Sequence, residues 1–146
     1  MKKTLTILMI GLLSLSYAGS AGSVSPTIGM RFGDVIGNIT TPVASVIIGL
    51  ELNLGDDVNS GFDSDPNENT SRLYVERAIV GGASAKFGLG TYTATTGGGP
   101  TLGNPYFTVG AIYGATDNLN VEVDYAINSL VTNTADRLNI TLSVSF

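Results

Sequence analysis

Few side chains of this 146-residue protein suit catalysis, because the chain contains no histidine and no cysteine. Ser-His-Asp and Cys-His catalysis is therefore excluded, and so are the usual zinc sites, which draw on those two residue types. Glu122 and Asp124 are a pair of carboxylates of the kind that general acid–base catalysis uses. Their place in an alternating pattern explains them without catalysis. We therefore predict no enzyme activity, no catalytic residue and no cofactor.

A second set of candidate ligands lies in the polar segment 55–71, which the sequence predicts to be a loop. Four oxygen-bearing side chains match positions 1, 3, 5 and 7 of a calcium-binding loop: Asp63, Asp65, Asn67 and Asn69. Position 6 is Glu68 instead of glycine, and position 12 is Tyr74 instead of glutamate. The match to a metal site is therefore weak, and the preferred interpretation is an acidic loop exposed to solvent.

The elements that must position these groups are indicated by side chains that alternate with period two. From Leu138 to Phe146 every second side chain is apolar, and the side chains between them are small and polar. Segments 27–36, 43–54, 84–94, 106–115 and 119–128 alternate similarly, and segment 72–80 does so more weakly. Such a strand has one apolar face and one polar face. Membrane-spanning strands distribute their apolar side chains in this way.

Two segments resemble parts of known outer-membrane proteins. The strand that ends on Phe146 resembles the closing strand of bacterial outer-membrane β-barrels, whose terminal Phe is read by the barrel-assembly machinery. Segment 109–127, VGAIYGATDNLNVEVDYAI, resembles the strand, short turn and strand that recur in OmpA-type barrels. The resemblance implies an all-β, antiparallel, up-and-down transmembrane β-barrel of the OmpA or OmpX type. It also implies that Phe146 is the assembly signal.

The number of strands follows less directly from the pattern. Seven strands are predicted, whereas bacterial single-chain barrels use an even number. Either residues 19–25 add a first strand, or segment 72–80 is not a strand and the number is six; eight is favoured. If the last strand ends in the periplasm, short connections at 37–42, 81–83 and 116–118 are periplasmic, and long ones at 55–70, 95–104 and 129–136 are external.

The N-terminus has the features of a signal peptide at residues 1–18. Lys2 and Lys3 precede an apolar stretch at 5–15 and a small-x-small cleavage site at 16–18. The barrel domain is then 19–146, with five cationic side chains against twelve carboxylates. This acidic balance argues against a nucleic-acid partner. An exported chain without cysteine also has no disulfide framework, so a core or a membrane must stabilise it.

The polar face of the predicted strands carries five charged residues: Arg31, Glu51, Lys86, Glu122 and Asp124. The interior of an eight-stranded barrel is just wide enough for side chains to fill. We expect Arg31 to lie diagonal to Glu51, and Lys86 to lie beside Gly114 and reach Glu122. The resulting salt-bridge network would plug the lumen. Glu51→Ala should then destabilise the barrel far more than Asp63→Ala in the predicted loop.

The aromatic residues suggest two belts at the membrane interfaces. The external belt is predicted to contain Tyr74, Tyr92, Tyr106 and Phe107, and the periplasmic belt Phe87, Tyr113 and Phe146.

The leading hypothesis is a small outer-membrane barrel with a structural or surface-interaction role. Its partners would be outer-membrane lipid, lipopolysaccharide, the assembly machinery and an unidentified surface partner. A weak cation bridge from the predicted acidic loop to lipopolysaccharide belongs to the same hypothesis. Two alternatives remain open at this stage: a narrow porin-like channel for small solutes, and a soluble periplasmic or secreted β-barrel that binds a ligand.

Overall fold

A computed structural model describes residues 23–33, 35, 43–95, 100–128 and 136–146. These residues form eight antiparallel strands, which confirms the predicted all-β up-and-down barrel. The strands are β1 (Val24–Gly33), β2 (Val43–Gly55), β3 (Val58–Asp65), β4 (Thr70–Val80), β5 (Ala83–Thr95), β6 (Pro100–Gly114), β7 (Leu119–Ile127) and β8 (Arg137–Ser145). The predicted signal peptide and residues 19–22 lie outside the described residues.

The sheet closes on itself. Each strand pairs with the next along the chain, and β1 pairs with β8 from Thr27↔Ser145 to Phe32↔Ile140. A closed sheet has no unpaired edge, so every strand backbone finds partners within the barrel. No helix among the described residues is long and apolar enough to cross a membrane.

The eighth strand is β3, and it lies where the sequence analysis predicted a loop. That prediction was wrong because β3 alternates only weakly: two of its four outward residues are serines, and its inward face is polar. Its inward residues are Asn59, Gly61, Asp63 and Asp65, and its outward residues are Val58, Ser60, Phe62 and Ser64. Tight turns bound the strand. Asp56 and Asp57 precede it with φ values of 52° and 60°, and residues 66–69 follow it.

The additional hairpin changes which end of the barrel each connection occupies. The start of β1, the end of β8 and the turns at 56–57, 81–82 and 115–118 share one end, which we call the C-terminal rim. The turn at 66–69 and the remaining strand ends, from Gly33 and Val43 to Ile127 and Arg137, are at the opposite end, the loop rim. The predicted periplasmic connection at 37–42 lies outside the described residues, but the strand ends that it joins, Gly33 and Val43, are at the loop rim and not at the C-terminal rim. The predicted long loop 55–70 is replaced by two short turns and β3.

The distribution of side chains is the reverse of that in a soluble domain. Large apolar residues such as Leu73 (63% exposed) and Phe87 (60% exposed) face outward, whereas Arg72, Asp124 and Thr141 are each 1% exposed. On β4 the adjacent charges Glu76 and Arg77 divide between the two faces, with Glu76 buried and Arg77 exposed. The core of this molecule is thus the polar lumen.

Three aromatic residues predicted for the membrane belts lie on the lumen face instead. Tyr74 and Tyr106 are buried, and the Tyr92 ring lies 5.1 Å from that of Tyr106. Both buried rings sit over glycines: Gly61 is directly opposite Tyr74, and Gly90 is directly opposite Tyr106. A Cβ at either glycine would overlap the ring, so the missing side chains make room for the tyrosines. By contrast, Phe87, Phe107, Tyr113 and Phe146 are exposed.

Candidate functional site in the barrel lumen

The lumen is organised around Arg72, a residue that the sequence analysis did not select. Arg72 projects inward from β4, and its guanidinium contacts carboxylates on two other strands. Its Nη2 atom lies 2.5 Å from Asp63 Oδ2 and 2.9 Å from Glu122 Oε1, and Nη1 lies 3.5 Å from Asp124 Oδ2. A single buried cation therefore joins three carboxylates.

Asp63 connects this cation to a second one. Its carboxylate accepts hydrogen bonds from Arg72 Nε at 3.0 Å and Nη2 at 2.5 Å, and Oδ1 lies 3.7 Å from Arg31 Nη2. The predicted position of Asp63 in a solvated loop was wrong, because β3 directs the side chain into the lumen. A calcium ion at this position would have to compete with the Arg72 guanidinium.

The other three candidate calcium ligands are Asp65, at the end of β3, and Asn67 and Asn69, in the turn that follows it. Asp65 is 1% exposed, accepts a hydrogen bond from the Ser45 hydroxyl and accepts two more from the backbone N–H groups of Asn67 and Glu68, both at 3.0 Å. Asn67 and Asn69 belong to the tight turn after β3. The described residues contain no group of three or more His, Cys, Asp or Glu side chains placed to hold a metal ion.

Lys86 and Glu122 are brought together as the sequence analysis expected, but by a different register. Lys86 Nζ lies 2.7 Å from Glu122 Oε2 and 3.6 Å from the centroid of the Tyr74 ring. The residue directly opposite Lys86 on β6 is Gly110, not Gly114. The Lys86 ammonium group reaches past Gly110 of β6 to the carboxylate on β7.

Asp124 of β7 is the third carboxylate that contacts Arg72. Its Oδ1 atom accepts a hydrogen bond of 2.9 Å from Asn139 Nδ2 on β8, and Oδ2 faces Arg72. We call the whole set the Arg72 network: Arg31, Asp63, Arg72, Lys86, Glu122 and Asp124. Asp63 is directly opposite Arg72 on the neighbouring strand β3, whereas β7 is three strands away from β4, so it is the contacts of Arg72 with Glu122 and Asp124 that cross the lumen.

Glu51 belongs to a separate group. The predicted contact between Arg31 and Glu51 is not formed. Arg31 is directly opposite Ser45, whereas Gly49, which precedes Glu51 on the same face of β2, is opposite Thr27, four residues away from Arg31. Glu51 instead accepts hydrogen bonds from Asn59 Nδ2 at 3.2 Å and from the Tyr74 hydroxyl at 3.3 Å.

The same Asn59 amide donates a 3.1 Å hydrogen bond to Glu76 Oε1. Glu76 Oε2 is buried without a hydrogen bond, and no ion pair of the described residues includes Glu51 or Glu76. We call Glu51, Asn59 and Glu76 the acidic cluster.

Little free space remains between these groups. A cavity of about 30 Å³ lies between the acidic cluster and the Arg72 network, lined on one side by Glu51 and on the other by Asp63, Lys86 and Glu122. About 10–15 Å³ of this kind of volume holds one water molecule, so the cavity has room for about two. It can hold water, but it is too small for a solute.

The two ends of the barrel differ in how they are closed. Near the loop rim the Tyr92 hydroxyl donates to Asn128 Oδ1 at 3.1 Å, and Arg137 Nη1 lies 3.4 Å from Glu68 Oε1. At the C-terminal rim the backbone N–H of Phe146 donates to the carbonyl of Pro26 at 3.0 Å. The Phe146 side chain is 72% exposed on the outward face, so the terminal residue adds a backbone bond to β1 and little packing.

Four of the buried charges were not predicted from the sequence to lie in the lumen: Asp63, Asp65, Arg72 and Glu76. A signal for two of them was present, since Arg72, Tyr74 and Glu76 alternate with Leu73, Val75 and Arg77. The adjacent charges at 76 and 77 made this strand look the weakest. For Asp63 and Asp65 the signal is weaker, because Ser60 and Ser64 interrupt the apolar outward face of β3.

Comparison with solved structures shows the fold of a transmembrane β-barrel. A de novo designed transmembrane β-barrel aligns with a TM-score of 0.50 at 15% identity, over 87% of this chain and 98% of the designed one. The N-terminal β-barrel domain of Pseudomonas aeruginosa OprF aligns with a TM-score of 0.48 at 13% identity, over 86% and 99% of the two chains. Neisserial surface protein A aligns with a TM-score of 0.38 at 13% identity, over 87% and 100%. No protein-family model and no curated protein sequence matches the chain.

Proposed function

We propose that this protein is a small, non-enzymatic outer-membrane β-barrel with a structural or surface-interaction role, and that the Arg72 network plugs its lumen. The observation that carries the proposal is the position of Arg72, which is 1% exposed and contacts carboxylates on β3 and β7. Asp63 is the neighbour of Arg72 across the β3–β4 pairing, and the contact with Glu122 on β7 crosses the interior of the barrel. An ion on its way through would have to separate Arg72 from Glu122.

Separating a buried ion pair costs a large free energy. Removing one partner of a buried ion pair typically costs about 3–5 kcal/mol, because the other charge is left without compensation. The Arg72 network contains several such pairs in a lumen whose cavity measures about 30 Å³. A closed lumen is therefore favoured over the porin-like alternative.

The outward face supports a membrane location. Exposed side chains such as those of Ile28, Met30, Leu73 and Val123 form a surface that lipid would cover and water would not. A soluble binding protein would place these side chains in its core. The predicted signal peptide would deliver the chain to the cell envelope, and outer-membrane lipid, lipopolysaccharide and the assembly machinery would be its partners.

The proposal is tested by electrophoresis and by conductance measurements on the mature protein. We expect a detergent requirement, a mobility on SDS gels that changes on boiling, and no stable conductance in planar bilayers. A chain that is monodisperse without detergent would contradict the membrane location. A stable conductance whose selectivity is reduced or reversed by Lys86→Glu would show that these charges line a pore.

A separate prediction concerns Phe146 as the assembly signal. Its deletion removes an exposed side chain and one hydrogen bond to Pro26, so the free energy of unfolding of the folded barrel should change by less than about 1.5 kcal/mol. Insertion into the outer membrane of cells should nevertheless fall. Quantitative blotting of membrane fractions tests this, with the deletion refolded into detergent as the control. Normal outer-membrane levels of the deletion variant would refute the assignment.

A further inference from the structure

Arg77 is the single charged residue on the outward face of the described strands. Its neighbours on that face of β4 are Val75 and Ile79, and the outward side chains that the structure describes on the other strands carry no charge. None of the ion pairs of the described residues includes Arg77. A guanidinium on a surface that faces lipid calls for an anionic partner.

An apolar groove begins next to this cation. It has a volume of about 390 Å³ and is lined by Ser60 of β3, Leu73 and Val75 of β4, and Phe87 and Leu89 of β5. Val75 is two residues from Arg77, a distance of about 6.7 Å along the strand. Leu73 lies further from the C-terminal rim. The groove therefore extends from the cation towards the middle of the barrel wall.

Two carboxylates lie beside Arg77 at the same rim. Arg77 is directly opposite Val58, the first residue of β3, and the turn before Val58 consists of Asp56 and Asp57. The backbone N–H of Ala78 donates to the Asp57 carbonyl at 2.9 Å, which holds this turn against β4. The rim thus presents one exposed cation and two exposed carboxylates next to the end of the groove.

We infer that this rim and groove bind one phospholipid with a phosphoethanolamine headgroup. The Arg77 guanidinium takes the phosphate in the bidentate manner that suits its planar donors, and the turn carboxylates take the ammonium group. One acyl chain lies in the groove between β4 and β5. A purely anionic glycerol headgroup would be repelled by Asp56 and Asp57, so the charge pattern favours the zwitterionic lipid. The inference rests on the proposed membrane location.

Native mass spectrometry of the folded protein tests the inference. The protein is released from nanodiscs that contain equal amounts of phosphatidylethanolamine, phosphatidylglycerol and phosphatidylcholine with the same acyl chains. We expect one retained phosphatidylethanolamine, and about tenfold less of it in Arg77→Gln, because a hydrogen-bonded charge pair is lost. The double variant Asp56→Asn, Asp57→Asn should retain phosphatidylglycerol at least as well as phosphatidylethanolamine. Arg137→Gln, at the opposite rim, is the matched control and should behave as the wild type.

Equal retention of the three lipids by the wild type, or unchanged retention by Arg77→Gln, would overturn the lipid site. Mobility on SDS gels before and after boiling is recorded on the same samples. A heat-modifiable barrel without lipid preference would refute only this inference. A chain that needs no detergent would refute the proposed function and the lipid site with it.

Discussion

The Arg72 network and the acidic cluster occupy the same lumen, but they differ in how their carboxylates are compensated. In the network Asp63, Glu122 and Asp124 each have at least one cation within 4 Å. In the acidic cluster Glu51 and Glu76 share the amide of Asn59. Burial alone therefore does not tell whether a carboxylate stabilises this barrel; what decides is whether the charged group of a cation lies against it.

Lys86 shows how this difference arises. It is directly opposite Glu76 in the pairing of β4 and β5, yet its ammonium group lies 2.7 Å from Glu122 and over the Tyr74 ring. The long Lys86 side chain thus leaves its nearest carboxylate and joins the network. Glu76 keeps one amide hydrogen bond and one buried oxygen without a hydrogen bond.

The largest effect is expected for Arg72→Met, which keeps the volume and removes the cation. Three buried carboxylates then lose their common partner, and the free energy of unfolding should fall by at least about 3–5 kcal/mol. Far-UV circular dichroism in urea and detergent measures this, since the chain has no tryptophan. The control Arg137→Met removes a part-exposed pair with Glu68 at the loop rim and should cost at most about 1 kcal/mol. Equal losses in both variants would show that Arg72 does not organise the lumen.

The second prediction reverses an expectation drawn from the sequence. Asp63→Ala should destabilise the barrel more than Glu51→Ala, because Asp63 contacts both Arg72 and Arg31 whereas Glu51 accepts only two neutral hydrogen bonds. We expect a loss of about 3 kcal/mol or more for Asp63→Ala. For Glu51→Ala the two lost hydrogen bonds suggest about 1–3 kcal/mol. The same urea titration ranks the two variants, and the opposite order would restore the sequence-based expectation.

The smallest effect is expected for Glu76→Gln in the acidic cluster. The neutral amide can still accept the hydrogen bond from Asn59, and it removes a buried charge that has no ion pair. The free energy of unfolding should therefore stay within about 1 kcal/mol of the wild type or rise. Glu122→Gln, a buried glutamate that does contact two cations, is the matched control and should lose several times more. A comparable loss at both positions would remove the distinction between the two regions.

Much of the fold was predictable from the sequence because one physical rule covers most of it. Alternation of apolar and polar side chains placed seven of the eight strands, and it gave the outward faces of six of them, β1, β2 and β5 to β8. The rule failed at β3, where Ser60 and Ser64 are outward beside a polar inward face. It also misplaced Tyr74 and Tyr106, since an aromatic ring is equally compatible with a lipid interface and with a lumen position above glycine.

The sequence by itself determined the class of the fold, the apolar outer surface and the polar character of the interior, since all three depend only on the period of the pattern. Only the tertiary structure decided which charges meet. Ion-pair partners are set by register, and register depends on the turn and loop lengths at either end of each hairpin. Arg31 thus meets Asp63 instead of Glu51, and Arg72 joins strands that are far apart in the chain. Alternation assigns a side chain to a face, whereas closure of the barrel brings opposite walls within reach of one guanidinium.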